Sequence, residues 1–458
     1  MAEPSELPSA ALPPSGRRHE IHPADVKGRF QRARLIVFAL LIGFWVALPI
    51  VKVGGHPAVF LDVEERTFFL FGTSFNSQDT WLLFFLLTGV GFGLVYATAL
   101  AGRVWCGWGC PQTVFLEGVF RRIERWVEGP RERRMRRNAG PWTAGKVAHK
   151  SATQVLYVLA SLAVAHVFLG YFVSIPKAFA MVRQSPSAHP EAFAWVIAIT
   201  AAFYFNFAWF REQLCVVLCP YGRLQSALLD EHSLVVGYDA RRGEPRGKKG
   251  TEGAGDCVDC KRCVVVCPTG IDIRNGVQME CLACTQCIDA CDEIMDRLGR
   301  PRGLVRYDSQ DGLAGKPRRI IRPRVMLYTA LLLVGAVVAV LATRRRTDFE
   351  ATLLRLPGQA PYAVADGQVR NTLQLHVVNK RSDSERYDVA VEPVPGMEAV
   401  LPASTVTVEA MGSTRLSLVL VVPREQFHGD FPVRVRLARA ADRRDELTAN
   451  ATFLGPSR

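Results

Sequence analysis

A chain of 458 residues is long enough for about three domains of 100–200 residues, so length alone excludes nothing. An apolar share of 49% with a mean hydropathy of +0.11 excludes a disordered chain, while 22% charged residues excludes one made only of membrane spans. The net charge of +13 would suit nucleic-acid binding, but the basic residues alternate along the chain as they do in membrane proteins.

Residues 1–34 are polar and rich in proline (Pro4, Pro8, Pro13, Pro14), without the apolar stretch of a cleavable leader, and read as a solvated tail. Five apolar runs without charges follow: Leu35–Val51, Trp81–Leu100, Ala152–Ile175, Ala192–Phe210 and Val325–Leu341. Each is near the ~17–25 residues that cross about 30 Å of hydrocarbon. Residues 35–223 are expected to form a four-helix membrane unit and residues 325–343 a fifth transmembrane helix.

Directly after the second run stands Trp105-Cys106-Gly107-Trp108-Gly109-Cys110-Pro111, and after the fourth Leu214-Cys215-Val216-Val217-Leu218-Cys219-Pro220. An i,i+4 pair shares one helix face, and the following proline stops the helix. Each C-x3-C-P motif is therefore expected to be a two-thiol claw at the inner end of a membrane helix. The repeat of two helices plus a claw brings both to one face, where four soft thiolates favour Cu(I) over hard ions. Between the claws, Arg131, Arg133, Arg134, Arg136 and Arg137 read as a solvated loop that could meet anionic lipid heads. His166, inside the third run, is either an interhelical hydrogen-bond group or a haem or copper ligand. Asp239–Gly255, rich in Gly, Lys and Arg, reads as a flexible linker.

Residues 224–324 carry the other eight cysteines as two runs spaced C-x2-C-x2-C-x3-C: Cys257, Cys260, Cys263 and Cys267, then Cys281, Cys284, Cys287 and Cys291. In bacterial ferredoxins this spacing lets three thiolates of one run grip a [4Fe–4S] cluster while the fourth reaches the other cluster. The expected sets are Cys257, Cys260, Cys263 with Cys291, and Cys281, Cys284, Cys287 with Cys267. Paired zinc sites would leave the third and fourth cysteine of each run unexplained. Pro268 follows the first run, whereas Asp292 stands in the corresponding place after the second.

Beyond the fifth run, residues 358–458 hold short alternating segments: Thr372–Val378, Tyr387–Val391, Val406–Val408, Thr414–Val422, Pro432–Ala438 and Leu447–Phe453. These predict an antiparallel all-β domain. Outside the five runs, Lys and Arg number 6 before the first, then 2, 11, 2 and 19 before the fifth. That alternation sets the N-terminus, 101–151 and 211–324 in the cytoplasm and sends 342–458 outward. Arg344, Arg345 and Arg346 on the outer side nearly balance Lys316, Arg318, Arg319, Arg322 and Arg324 on the inner side of the fifth run. All twelve cysteines fall on the cytoplasmic side or its membrane edge, where disulfides are disfavoured and thiolate metal ligands expected.

Five spans, two C-x3-C-P motifs and a two-cluster ferredoxin segment before the fifth span make the chain resemble the FixG/RdxA/CcoG family of cytochrome c oxidase accessory proteins. The first four spans and their cysteine motifs also resemble the NapH-type membrane ferredoxins. The resemblance implies an immunoglobulin-like outer domain, inner-membrane location, partners among the assembly factors or subunits of cbb3-type oxidase, and reduction of Cu(II) to Cu(I) at Cys106, Cys110, Cys215 and Cys219. Electrons would come from a cytoplasmic donor or quinol. Two other readings stand beside this one: a quinol-oxidising electron-transfer subunit, and a non-redox assembly scaffold. No glycine-rich nucleotide-binding pattern supports ATP-driven transport.

Overall fold

The computed structural model describes residues 21–63, 67–76, 80–248, 250–344, 347–355, 360–381, 383–410 and 412–456. The chain divides into two units, residues 1–52 with 83–338 and residues 53–82 with 339–458.

In the first unit and its edges, five helices among the described residues are long and apolar enough to cross a membrane: Arg29–Ala47, Leu82–Ala101, Ala144–Leu169, Pro190–Phe210 and Pro323–Arg344. The first and third begin ahead of the charge-free runs, because a charge ends an apolar run without ending a helix. Arg29, Arg32 and Arg34 lie in the first turns of one, and Thr143 caps the other by accepting the Lys146 N–H at 3.2 Å. Leu169, rather than Ile175, ends the third, just before Gly170 and a short helix, Ile175–Val182, that has Pro176 in its first turn. Side chains such as Ile36, Leu40, Phe84, Leu87, Leu333 and Val334 are exposed on helices that are apolar on all sides.

The eight-cysteine segment packs around an apolar core that includes Val236, Ile271, Ile273, Ile288, Met295 and Leu304. Strands Val235–Tyr238 and Val305–Asp308 close it as an antiparallel pair, Val235 opposite Asp308. Two sequence expectations fail here. The described residues of Asp239–Gly255 are not a flexible linker: Arg242 donates to Asp256 at 2.5 Å, the Gly247 N–H to the Cys257 carbonyl at 3.2 Å, and the Gly255 N–H to the Pro245 carbonyl at 2.8 Å. Residues 21–34 are no solvated tail either. Ala24 is buried against Val266 and Ala290, its N–H donates to the Val265 carbonyl at 2.9 Å, and the Phe30 and Gln31 N–H groups donate to the Asp289 carboxylate at 3.3 and 2.7 Å. Residues 1–20 lie outside the described residues, as do Arg345 and Arg346.

The second unit contains a three-stranded antiparallel sheet of Val59–Asp62, Thr67–Leu70 and Thr73–Asn76, in a stretch for which the sequence announced no element. Its C-terminal part is a two-sheet antiparallel sandwich. One sheet runs Glu398–Val400, Ser413–Pro423, Gln368–Asn379, Phe349–Arg355, with Ala363–Ala365 added to Gln368–Asn379; the other runs Thr405–Val408, Glu385–Val391, Phe431–Arg439, Asp442–Phe453. Inward residues of both sheets, among them Leu373, Leu375, Leu418, Val433, Val435 and Leu437, form one core. Each of the six segments expected from alternation lies within one of these strands.

Candidate metal centres

The two C-x2-C-x2-C loops share a backbone conformation. Asp259 and Lys261 in the first, and Ala283 and Thr285 at the matching positions of the second, all have left-handed φ of 51°, 53°, 52° and 65°. None is glycine, and each such residue costs on the order of 1–3 kcal/mol. Strain repeated at matching positions marks a loop shaped for what it encloses. Its effect is to wind the chain so that successive cysteines turn toward one centre, each loop ending in a helix, Arg262–Val265 or Gln286–Leu298.

One recess of about 360 Å³ is lined by Cys257, Cys260, Cys263 and Cys291. A second, of about 340 Å³, is lined by Cys263, Cys267, Cys281, Cys284 and Cys287. The structure therefore brings each expected foursome to one recess, the fourth thiol crossing from the other run, and Cys263 borders both. Among the described residues no three His, Cys, Asp or Glu side chains stand ready-made as a metal site; the thiols form recess walls. The four expected thiols at each recess suit an iron–sulfur group; the rest of the second wall is mainly aliphatic, while the first also carries Lys261, Arg262 and Arg274. Burial pushes Cys263, Cys281 and Cys291 up to about 12, the last two despite backbone N–H groups from Ala283 and Val305. Cys260 is exposed, so the first recess opens to solvent. Asp292 explains its departure from proline: it sits inside Gln286–Leu298, where proline would remove a helix hydrogen bond, and it accepts the Gly303 N–H at 3.0 Å.

The C-x3-C-P motifs depart from the expected shared helix face. After the second long helix the chain turns at Gly102 (φ 61°), and Cys106 lies in a new short helix, Val104–Trp108. Cys110 is extended and precedes the helix Pro111–Phe115, whose first residue is the motif's proline. Likewise the chain turns at Arg211 (φ 53°), Cys215 lies in the π-helical Leu214–Leu218, and Cys219 precedes Pro220–Leu228. Proline thus begins a helix here, at the position where its missing N–H is harmless. The four thiols nevertheless converge. Burial pushes Cys215 up to about 12, reinforced by Cys110, Cys106 and Cys219, and Cys106 up to about 11, against the opposing Arg103 guanidinium.

This four-thiol site shares a wall with the second recess. Cys106 packs with Leu282 and Cys284, flanked by Cys215 and Tyr221. Gly107 makes the approach possible, since a Cβ there would stand 2.6 Å from the Leu282 carbonyl oxygen and 2.8 Å from that of Ala283. Arg103 bridges both sides, donating from Nε to Gln225 Oε1 at 2.7 Å, from Nη2 to the Gly222 carbonyl at 2.7 Å and from Nη1 to the Cys281 carbonyl at 3.2 Å. Gln225, fully buried, also accepts from the Cys106 thiol at 3.2 Å.

Other sequence expectations change. Arg134 is buried and donates to Glu124 at 2.7 Å, and Arg131 donates to the His22 carbonyl at 2.7 Å, so the basic run is partly structural. Arg133 and Arg136 remain exposed. His166 hydrogen-bonds through Nδ1 to the Leu162 carbonyl of its own helix at 2.8 Å, a contact within one helix rather than between helices. Sequence reading missed Arg34, Arg103, Gln225 and Glu124. Their only signal was charge or amide placed beside an apolar run, a pattern that surface residues share.

Residues 210–310 match the family model of a 4Fe-4S dicluster domain, residues 82–131 that of a 4Fe-4S binding domain, and residues 338–456 that of the IG-like fold at the C-terminus of FixG. Fold and cysteine centres define an iron–sulfur electron-transfer protein with five candidate spans and a C-terminal β domain. The chain is 37% identical to protein RdxA of Cereibacter sphaeroides, over 88% of this chain and 89% of RdxA. It is 32% identical to nitrogen fixation protein FixG of Rhizobium meliloti, over 90% and 88%, and 35% identical to protein RdxB of Cereibacter sphaeroides, over 86% and 87%. It belongs to the FixG/RdxA family.

Proposed function

We propose that this protein is an inner-membrane cupric reductase that supplies Cu(I) for assembly of a cbb3-type cytochrome c oxidase. Cys257, Cys260, Cys263 and Cys291 hold one [4Fe–4S] group, Cys267, Cys281, Cys284 and Cys287 the other, and Cys106, Cys110, Cys215 and Cys219 receive copper. When bound, each iron–sulfur group supplies one-electron storage, refilled by a cytoplasmic one-electron donor or a quinol. Each turnover moves one electron to one Cu(II), which becomes Cu(I), while the thiolates stay reduced. Soft sulfur ligands favour the reduced ion. The observation that carries this reading is the shared wall, Cys106 against Leu282 and Cys284, which sets a four-thiol site beside an electron store. The Lys/Arg alternation supports insertion with the N-terminus and cysteine-rich segment cytoplasmic and the C-terminal domain periplasmic. That domain, lacking cysteine, is suited to contact with oxidase assembly factors or subunits, and the exposed apolar helix faces to membrane lipid.

Anaerobic purification with iron, sulfide and copper counted per chain tests it, followed by Cu(II) presented to the prereduced protein. About eight iron and eight sulfide are expected, with Cu(I) formed. Paired serine substitutions at Cys106 and Cys110, or at Cys215 and Cys219, abolish copper binding and reduction and leave the iron in place. Zinc in place of iron after anaerobic handling counts against the whole scheme. A second reading is favoured by one finding, the match of residues 82–131, which include Cys106 and Cys110, to a 4Fe-4S binding domain: the four thiols hold iron rather than copper. About twelve iron and no copper would select it.

A further inference from the structure

Charged side chains stand beside both thiol recesses. Lys261, Arg262 and Arg274 line the first, where Arg274 faces Cys263 and is paired with Asp272 at 2.6 Å and Asp259 at 2.5 Å. Asp272 faces Cys263 as well, and Asp292 faces Cys291.

Beside the second stand two buried cations that have no carboxylate partner among the described residues. Arg34 is 1% exposed, donates from Nε to the Gly107 carbonyl at 3.1 Å and from Nη1 to Gln31 at 3.4 Å, and faces Cys284. Among the described residues no carboxylate pairs with it, and its Nη2 has no hydrogen-bond partner. Among the described residues Arg103, 6% exposed, donates only to neutral oxygens, and it faces Cys281 on one side and Cys106 and Cys215 on the other. The nearby carboxylates are otherwise engaged: Glu117, which faces Cys284, pairs with Arg121, and Asp289 caps the helix that carries Arg34.

A buried guanidinium without a counter-charge is strongly disfavoured. A thiolate-bound iron–sulfur group is anionic and becomes more so on reduction, so a fixed cation beside it stabilises the reduced form and raises the potential. Resting on the ligand sets proposed above, we propose that Arg34 and Arg103 raise the reduction potential of the Cys267/Cys281/Cys284/Cys287 group. An added electron is thereby favoured at the group walled by Cys106, with no bond or proton moved. The arginines are positioning residues that act through their charge.

The test is a reductive titration of the full-length, cluster-loaded protein, with iron counted and each cluster followed by electron paramagnetic resonance. The midpoint that disappears in Cys281→Ser belongs to the second group. Arg34→Gln shifts that midpoint to a more negative value and leaves the other in place, with Arg34→Lys recovering most of the shift. Loss of only the second group's iron in Arg34→Gln, with retention in Arg34→Lys, also supports the charge pairing. Unmoved midpoints at full iron in Arg34→Gln and in Arg103→Gln overturn the inference, as does an equal effect of Gln and Lys at position 34. Four iron per wild-type chain would instead defeat the ligand assignment itself.

Discussion

Glu124 shows what one buried carboxylate does at the edge of the helical unit. It is 7% exposed and accepts from Arg134 and Arg211, each at 2.7 Å, and from the Tyr157 hydroxyl at 2.6 Å. Burial would raise its pKa, but Arg211, the Tyr157 hydrogen bond and Arg134 outweigh burial and hold the carboxyl at about 2. Removing one partner of such a network leaves charge buried and uncompensated, at about 3–5 kcal/mol. Glu124→Gln is accordingly expected to lower the unfolding temperature in detergent. The folded value lies below the ordinary 4.5, so the stabilisation is complete above about pH 4.5 and is lost as pH falls toward 2. The gap between wild type and variant should therefore be constant above about pH 5 and close below it; a gap that widens on acidification would contradict the assignment. At Gly107, Ala should cost about 1–3 kcal/mol by overpacking, because the opposing atoms are backbone oxygens of Leu282 and Ala283. Iron content should survive while Cu(II) reduction by the prereduced protein slows.

Elements in this fold are held by partners distant in sequence. The helix Arg29–Ala47 has no side-chain cap of its own, and Gly28 stands where Ser, Thr, Asp or Asn would serve. Asp289, from the helix that follows the second cysteine loop, supplies the acceptor instead. Asp289→Ala should cost about 0.5–2 kcal/mol and release residues 21–34, seen as faster amide exchange confined to that segment and its contacts. Undisturbed exchange there would mean that the packing of Ala24 on Val266 holds the segment alone. In the β sandwich, Leu418 is fully buried between the sheets. Leu418→Ala should cost about 2–5 kcal/mol, read in thermal unfolding, with iron content unchanged.

At the scale of the molecule, five candidate spans and the alternation of Lys and Arg predict the sidedness. A reporter that is active only outside the cytoplasm should be silent when fused after Gly140, active after Ser187, and active at the chain end. Activity after Gly140, or silence at the end, would reverse the proposed placement of the C-terminal domain.

The sequence by itself determined the apolar helices, the β alternation and the grouping of cysteines, since these depend on local periodicity and short spacing. Two residues between thiols leave the chain few ways to fold, and an inward-outward pattern of period two fits only a sheet. It misplaced what depends on burial. The segment 239–255 looked like a linker because polar composition does not reveal the Arg242–Asp256 pair, and Arg134 looked solvated until Glu124 was found opposite it. Only the tertiary structure decided which charges lie bare beside the second thiol set. Arg34 meets Gly107 across 73 positions of chain, and Arg103 meets Cys281 across 178. Whether a cation is solvated, paired or left to balance a neighbouring centre is set by the packing of distant segments and the dielectric they create, a property that no window of sequence carries.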